Sequence, residues 1–198
     1  SLAKHLLQRE FVVIGFSRGD STIDDDNYAH YTLSINDERK VSNTFHAIRE
    51  TYGRLDVLIN NAGIGSLNHF LLTPISTVRK ILETNVVGTY LCTQEAIKIM
   101  RRRRSGRVIS MSSVAVPLKL EGEAIYAASK AAVITMNEIL AREVAGFGIT
   151  VNTIAPTPVE TDLIRNVPRK KIENLLDRQA ISRFSTFSDI NNVVDFFI

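Results

Sequence analysis

Tyr126-Ala127-Ala128-Ser129-Lys130 places a phenol and an ammonium four residues apart, with small residues between them. On a helix, positions i and i+4 share one face, so the two side chains can meet. A phenol titrates at about pH 10 and is a poor acid or base at neutral pH. A nearby cation stabilises the phenolate and lowers that value, which makes such a pair suited to proton transfer. The same spacing occurs by chance on surface helices, so the pair gains its meaning from what surrounds it.

The surrounding chain alternates short β-branched apolar runs with longer amphipathic segments. Residues 11–16, 55–60, 107–112 and 148–154 read as buried strands, and 30–34 as a weaker one. Residues 2–9, 37–52 with Gly53 as the stop, 76–104 and 125–147 read as helices. The polar stretch 17–27 reads as a surface loop. This rhythm implies one α/β domain spanning 1–198, a doubly wound parallel sheet with helices on both faces. Ligands of such folds bind at the carboxyl ends of the strands. Those ends carry Ser17-Arg18, Asn60-Asn61-Ala62-Gly63, Ser112-Ser113 and Ala155-Pro156-Thr157-Pro158.

Composition excludes several classes. Apolar residues make up 44% and charged residues 23% of the 198, an ordinary globular balance rather than a disordered one. No apolar run reaches the roughly 20 residues needed to cross a bilayer. Cys92 is the only cysteine, so no internal disulfide forms, which fits a reducing, cytoplasmic setting. No metal-ligating cluster is read. A net charge of +3 demands no polyanionic partner. The run Arg101-Arg102-Arg103-Arg104 before Ser105-Gly106 reads as a helix C-terminus stopped by glycine, with cations at the negative end of the dipole. The sharper alternative is a dock for an acidic carrier protein. Nucleic acid is disfavoured because no aromatic residues interleave the arginines.

Taken in order, the motifs resemble the short-chain dehydrogenase/reductase family. They are Asn60-Asn61-Ala62-Gly63, Asn85 within Glu83 to Gly88, Ser113, Tyr126 with Lys130, and Val151 to Pro156. The resemblance covers nearly the whole chain. It implies a Rossmann fold and an oxidoreductase interconverting a ketone and a secondary alcohol by hydride transfer. Tyr126 would be the general acid or base, and Lys130 would lower its pKa and hold the nicotinamide ribose. Ser113 would bind the substrate oxygen, with Ser112 as its rival for that role. Asn85 would hold a water in a proton relay. Asn61, Ala62, Gly63, Pro156 and Thr161 would line the cofactor. Ser17-Arg18 stands where NAD enzymes carry an acidic residue, which favours NADP(H) over NAD(H). Asp20 is the reservation, because a shifted turn would put it at the ribose.

The chain also departs from the family pattern. The glycine-rich phosphate loop with its preceding first strand, and the last strand, are not found. The sequence therefore reads as part of a longer protein, and an intact mass of 22.1 kDa would refute that expectation. Thr157 replaces a usual glycine, and Ser34-Ile35 a usual Asp-hydrophobic pair. Residues 162–185 read as a substrate lid with Leu163, Ile164, Val167, Leu175 and Leu176 as its apolar side, or simply as core.

Segments 141–145, 148–152 and 159–162 resemble the 3-oxoacyl-carrier-protein reductase branch. That points to a small carbonyl substrate, carrier-bound if the branch holds. The competing function is a non-catalytic dinucleotide-binding or regulatory protein on the same scaffold. The family further implies a homodimer or homotetramer built on helices 76–104 and 126–147, where Ala127, Ala128, Ala131 and Ala132 permit close packing.

Overall fold

A computed structural model of the chain describes residues 1–161, 164 and 167–198. Strands Val13–Ser17 (β1) and Tyr28–Thr32 (β2) pair in parallel. Val57–Asn60 (β3), Gly106–Met111 (β4) and Ile149–Ile154 (β5) form a second parallel sheet in that order. The helices are Leu2–Gln8 (α1), Glu38–Tyr52 (α2), Ile75–Leu82 (α3), Gly88–Arg103 (α4), Ala115–Leu118 (α5), Ala124–Val144 (α6), Arg169–Leu176 (α7) and Phe187–Phe197 (α8). The doubly wound parallel architecture is as the sequence implies.

The period of two along the strands divides the core into layers. Val108, Ile149 and Leu58 face one side, with Val41 and Phe45 of α2, Ala96 and Met100 of α4, and Val144 of α6. Ile109, Met111 and Ile154 face the other, with Leu2 of α1 and Ile190, Val194 and Phe197 of α8. Helix α2 shows how local sequence sets an element. The Asp37 side chain accepts from the Lys40 amide at its start, and Gly53 ends it at φ +66°, a conformation glycine adopts freely.

The missing central strand of the sequence reading has its counterpart here, where the five strands form two sheets, and two other expectations are corrected. No ladder joins β1 to β3, and a cavity of 1320 Å³ lies between them, lined by residues 13–16 and 57–60. The helical stretch 76–104 is also not one α-helix. Residues 83–87 form a π-helical turn between α3 and α4. The Asn85 carbonyl in it accepts the Thr89 hydroxyl at 2.8 Å. Finally, α4 is ended by Arg104 in a left-handed conformation at φ 52° rather than by Gly106, which opens β4. Among the described residues, no helix is long and apolar enough to cross a membrane.

Candidate active site

Three loops at the carboxyl ends of β3, β4 and β5 converge with the start of α6 on one cavity. Helix α6 presents Tyr126 and Lys130 on one face, and the Lys130 Nζ lies 5.9 Å from the centre of the Tyr126 ring. Lys130 is 5% exposed, and its ammonium donates to the Met111 carbonyl at the end of β4, at 2.7 Å. Burial pulls its pKa down to about 8. The phenol moves the opposite way from the sequence expectation. Burial pushes the Tyr126 pKa above its ordinary value, the Ser113 hydroxyl opposes the rise, and the Glu123 carboxylate adds to it. Lys130 is not among the groups that move it, and desolvation of the phenolate dominates.

The two candidate serines have different neighbours. Ser112 is buried, and its hydroxyl donates to the Lys130 carbonyl at 3.2 Å, tying β4 to α6. Ser113 accepts the Ala115 amide at 3.1 Å and lines the same 910 Å³ cavity as Tyr126, Lys130, Asn61, Gly63, Pro156 and Thr161. Asn85 is fully buried on its π-turn. Its Oδ1 accepts the Ile64 amide at 2.8 Å, and its Nδ2 donates to the Ile64 carbonyl at 2.9 Å and to Ser129 Oγ at 3.0 Å. The Asn85 side chain thus fixes the loop after β3 against α6. A methyl group at Gly63 would stand 3.2 Å from Lys130 Nζ and 3.4 Å from Asn85 Oδ1, so glycine keeps the space above the ammonium open. Asn60 donates to Thr93 at 2.8 Å and to Ser110 at 3.1 Å, which binds β3 to α4 and β4.

At the far end of the cleft, Ser17 and Arg18 line the larger cavity together with Asn61, Ala62 and Gly63. The Ser17 hydroxyl donates to the Gly19 carbonyl at 2.6 Å. After β5, Thr157 is not in the left-handed region, so its backbone needs no glycine there. Its hydroxyl meets Ser185 Oγ at 2.5 Å, and Ser185 N–H donates to the Pro158 carbonyl at 2.9 Å. These bonds clasp the two ends of the segment read as a lid. Of its apolar residues, Ile164, Val167 and Leu175 line the substrate-side cavity. Leu163, and Asp162 of the 159–162 motif, lie outside the described residues.

Sequence reasoning missed Glu123. It lines the cavity just before the first turn of α6, three residues ahead of Tyr126. Burial raises its pKa, and Lys171 opposes the rise. Helical spacing alone would have found it. Tyr28 and His30, beside the Ser17 turn, were also missed.

The model of the short chain dehydrogenases matches residues 3–172. The 3-oxoacyl-[acyl-carrier-protein] reductase FabG of Escherichia coli is 34% identical over 164 residues, 83% of this chain and 67% of that protein. The enzyme of the same name from Salmonella typhimurium is 32% identical over 202 residues, covering 99% and 83% respectively. Among solved structures, ElxO with NADP bound superposes with a TM-score of 0.90 at 27% identity, covering 99% of this chain and 84% of that one. A short-chain dehydrogenase from Streptomyces avermitilis gives 0.77 at 33% identity, covering 82% and 62%. The chain belongs to the short-chain dehydrogenase/reductase family, on the side of its FabG-like branch.

Proposed function

We propose that the chain is an NADP(H)-dependent oxidoreductase that interconverts a ketone and a secondary alcohol, with Tyr126 as the general acid or base. The observation that carries this reading is the convergence of Ser113, Tyr126 and Lys130 on one cavity at the carboxyl ends of the strands. The cleft fits a dinucleotide on its own terms, since Gly63 leaves open the space a side chain would fill between Lys130 and Asn85. Lys130 and Asn85 would flank the nicotinamide ribose, with Asn61, Ala62, Gly63, Pro156 and Thr161 along the cleft and Arg18 at the adenosine end. When bound, the cofactor supplies or accepts the hydride.

The protein's own groups then handle the proton. Ser113 donates its hydroxyl hydrogen to the substrate carbonyl oxygen, orienting it and stabilising the charge that develops there. Tyr126, held protonated by its buried surroundings, gives its proton to that oxygen during reduction. The Lys130 ammonium, charged below about pH 8, would stabilise the phenolate left when Tyr126 gives up its proton. Asn85 holds the loop and π-turn through which a water would reach Lys130.

The relatives named as 3-oxoacyl-[acyl-carrier-protein] reductases extend the proposal to a carrier-bound 3-oxoacyl substrate. The exposed Arg101–Arg104 run would face the acidic carrier. Exposed Tyr90 on α4 and Ile139 on α6 suit a dimer or tetramer built on those helices.

The test is NADPH consumption over a panel of ketones and 3-oxoacyl thioesters. Tyr126→Phe is expected to lose about 10²–10⁴-fold in rate while still binding NADPH. Full activity in that variant overturns the mechanism, and a preference for NADH overturns the cofactor choice.

A further inference from the structure

We propose that His30 is a positioning residue for cofactor selectivity: it staples the turn after β1 so that Arg18 is presented to the 2′-phosphate of NADP(H). The inference rests on the NADP(H) reading above.

The turn Ser17-Arg18-Gly19 is held by hydrogen bonds that meet at one ring nitrogen. His30 Nε2 lies 2.9 Å from the Gly19 carbonyl oxygen and 3.1 Å from Ser17 Oγ. A carbonyl oxygen only accepts, so Nε2 carries the hydrogen. In the neutral ring Nδ1 is then the acceptor, and it lies 3.0 Å from the Tyr28 hydroxyl, which supplies a donor. Tyr28 thereby fixes the tautomer that the turn requires, as a partner on the second nitrogen does elsewhere. The Tyr28 ring stacks on the His30 ring at 6.0 Å between centroids and 27° between planes.

Tyr28 reaches this position because of Gly15, the residue that pairs with His30 in the β1–β2 register. A Cβ at Gly15 would collide with the Tyr28 phenol. One glycine, one tyrosine and one histidine thus form a bracket beneath the turn, and two strands supply it.

The bracket has a definite span. It grips Ser17 and Gly19, the two neighbours of Arg18, and Asp20 lies beyond it. The Ser17 hydroxyl, having given its single hydrogen to Gly19 O at 2.6 Å, has none left for an anion. Of the two side chains Ser17 and Arg18, the guanidinium is then the one that can donate to an anion. A forked guanidinium rewards fixed geometry, because two parallel hydrogen bonds to a phosphate need both partners in register. Pinning the backbone on either side of Arg18 lowers the ordering cost of binding, which is the general route by which a preformed site gains affinity.

The experiment measures NADPH and NADH dissociation constants of the full chain by cofactor fluorescence, with no substrate present. The wild type is expected to prefer NADPH. His30→Ala is expected to weaken NADPH about tenfold, the loss of one or two hydrogen bonds, while NADH changes less than twofold. His30→Gln, which carries an amide N–H at the reach of Nε2, is expected to recover most of the loss, and Tyr28→Phe to fall between. Because His30 acts through Arg18, Arg18→Ala with His30→Ala is expected to bind NADPH no worse than Arg18→Ala alone. Equal losses of both cofactors in His30→Ala, or additive losses in the double variant, overturn the inference. A wild type without NADPH preference overturns the cofactor reading instead, and with it this one.

Discussion

Lys130 Nζ and the Met111 carbonyl oxygen, 2.7 Å apart, join the middle of α6 to the carboxyl end of β4. The bond places a buried ammonium beside Tyr126 without spending it on an acidic partner. The charge stays available to a ribose hydroxyl or to the phenol, and its cost is desolvation.

That cost has a pH signature. The folded pKa of Lys130 is about 8, against 10.5 as its ordinary value. Below about pH 8 both folded and unfolded states hold the proton, and the native state bears the full penalty of the buried charge. Between about 8 and 10.5 the unfolded state binds more protons, so stability rises with pH. The raised Tyr126 pKa acts in the opposite sense above about pH 10. Thermal melts of cofactor-free protein are expected to show the wild type gaining on Lys130→Met between pH 8 and 10. Parallel curves for the two proteins would refute this.

Adjacent serines give a split result. Ser113→Ala is expected to lower kcat about 10²–10³-fold, the loss typical of one oxyanion donor, with only the small stability loss of its bond to the Ala115 amide. Ser112→Ala removes the bond to the Lys130 carbonyl and is expected to cost about 1 kcal/mol of stability with a smaller effect on rate. Steady-state rates and urea melts on both variants check the pair, and reversed effects would exchange their roles.

Glu123→Gln removes the carboxylate that raises the Tyr126 pKa. The phenolate then forms more readily. In the alcohol-oxidation direction, the rising limb of kcat/KM against pH is expected to move to lower pH. A limb that stays in place or moves upward would show that Glu123 does not act on the phenol.

Gly63→Ala puts a methyl group between Lys130 and Asn85. Overpacking of this kind costs about 1–3 kcal/mol. It is expected to appear as weaker NADPH binding, about tenfold or more, with secondary structure retained by circular dichroism. Unchanged affinity would place the cofactor elsewhere.

The parts of this site that follow from local rules were legible in the sequence. Tyr126 and Lys130 share a face because a helix repeats every 3.6 residues, and Gly53 ends α2 because its φ of +66° suits glycine. Ser113 lies at a strand end, where apolar alternation stops. Other parts depend on partners distant in sequence. The Asn85 side chain on the π-turn is satisfied by Ile64 and Ser129, 21 and 44 positions away. The direction of the Tyr126 pKa depends on burial, which no spacing encodes. His30 reaches the Ser17–Gly19 turn only through the β1–β2 register.

Lys130 is tied twice to the same strand end: its ammonium donates to the Met111 carbonyl, and its own carbonyl accepts the Ser112 hydroxyl. Such a double tie works as a rivet. Helix α6 cannot slide along β4 or turn against it without breaking both bonds, so the height of the phenol above the strand end is set by the backbone of β4.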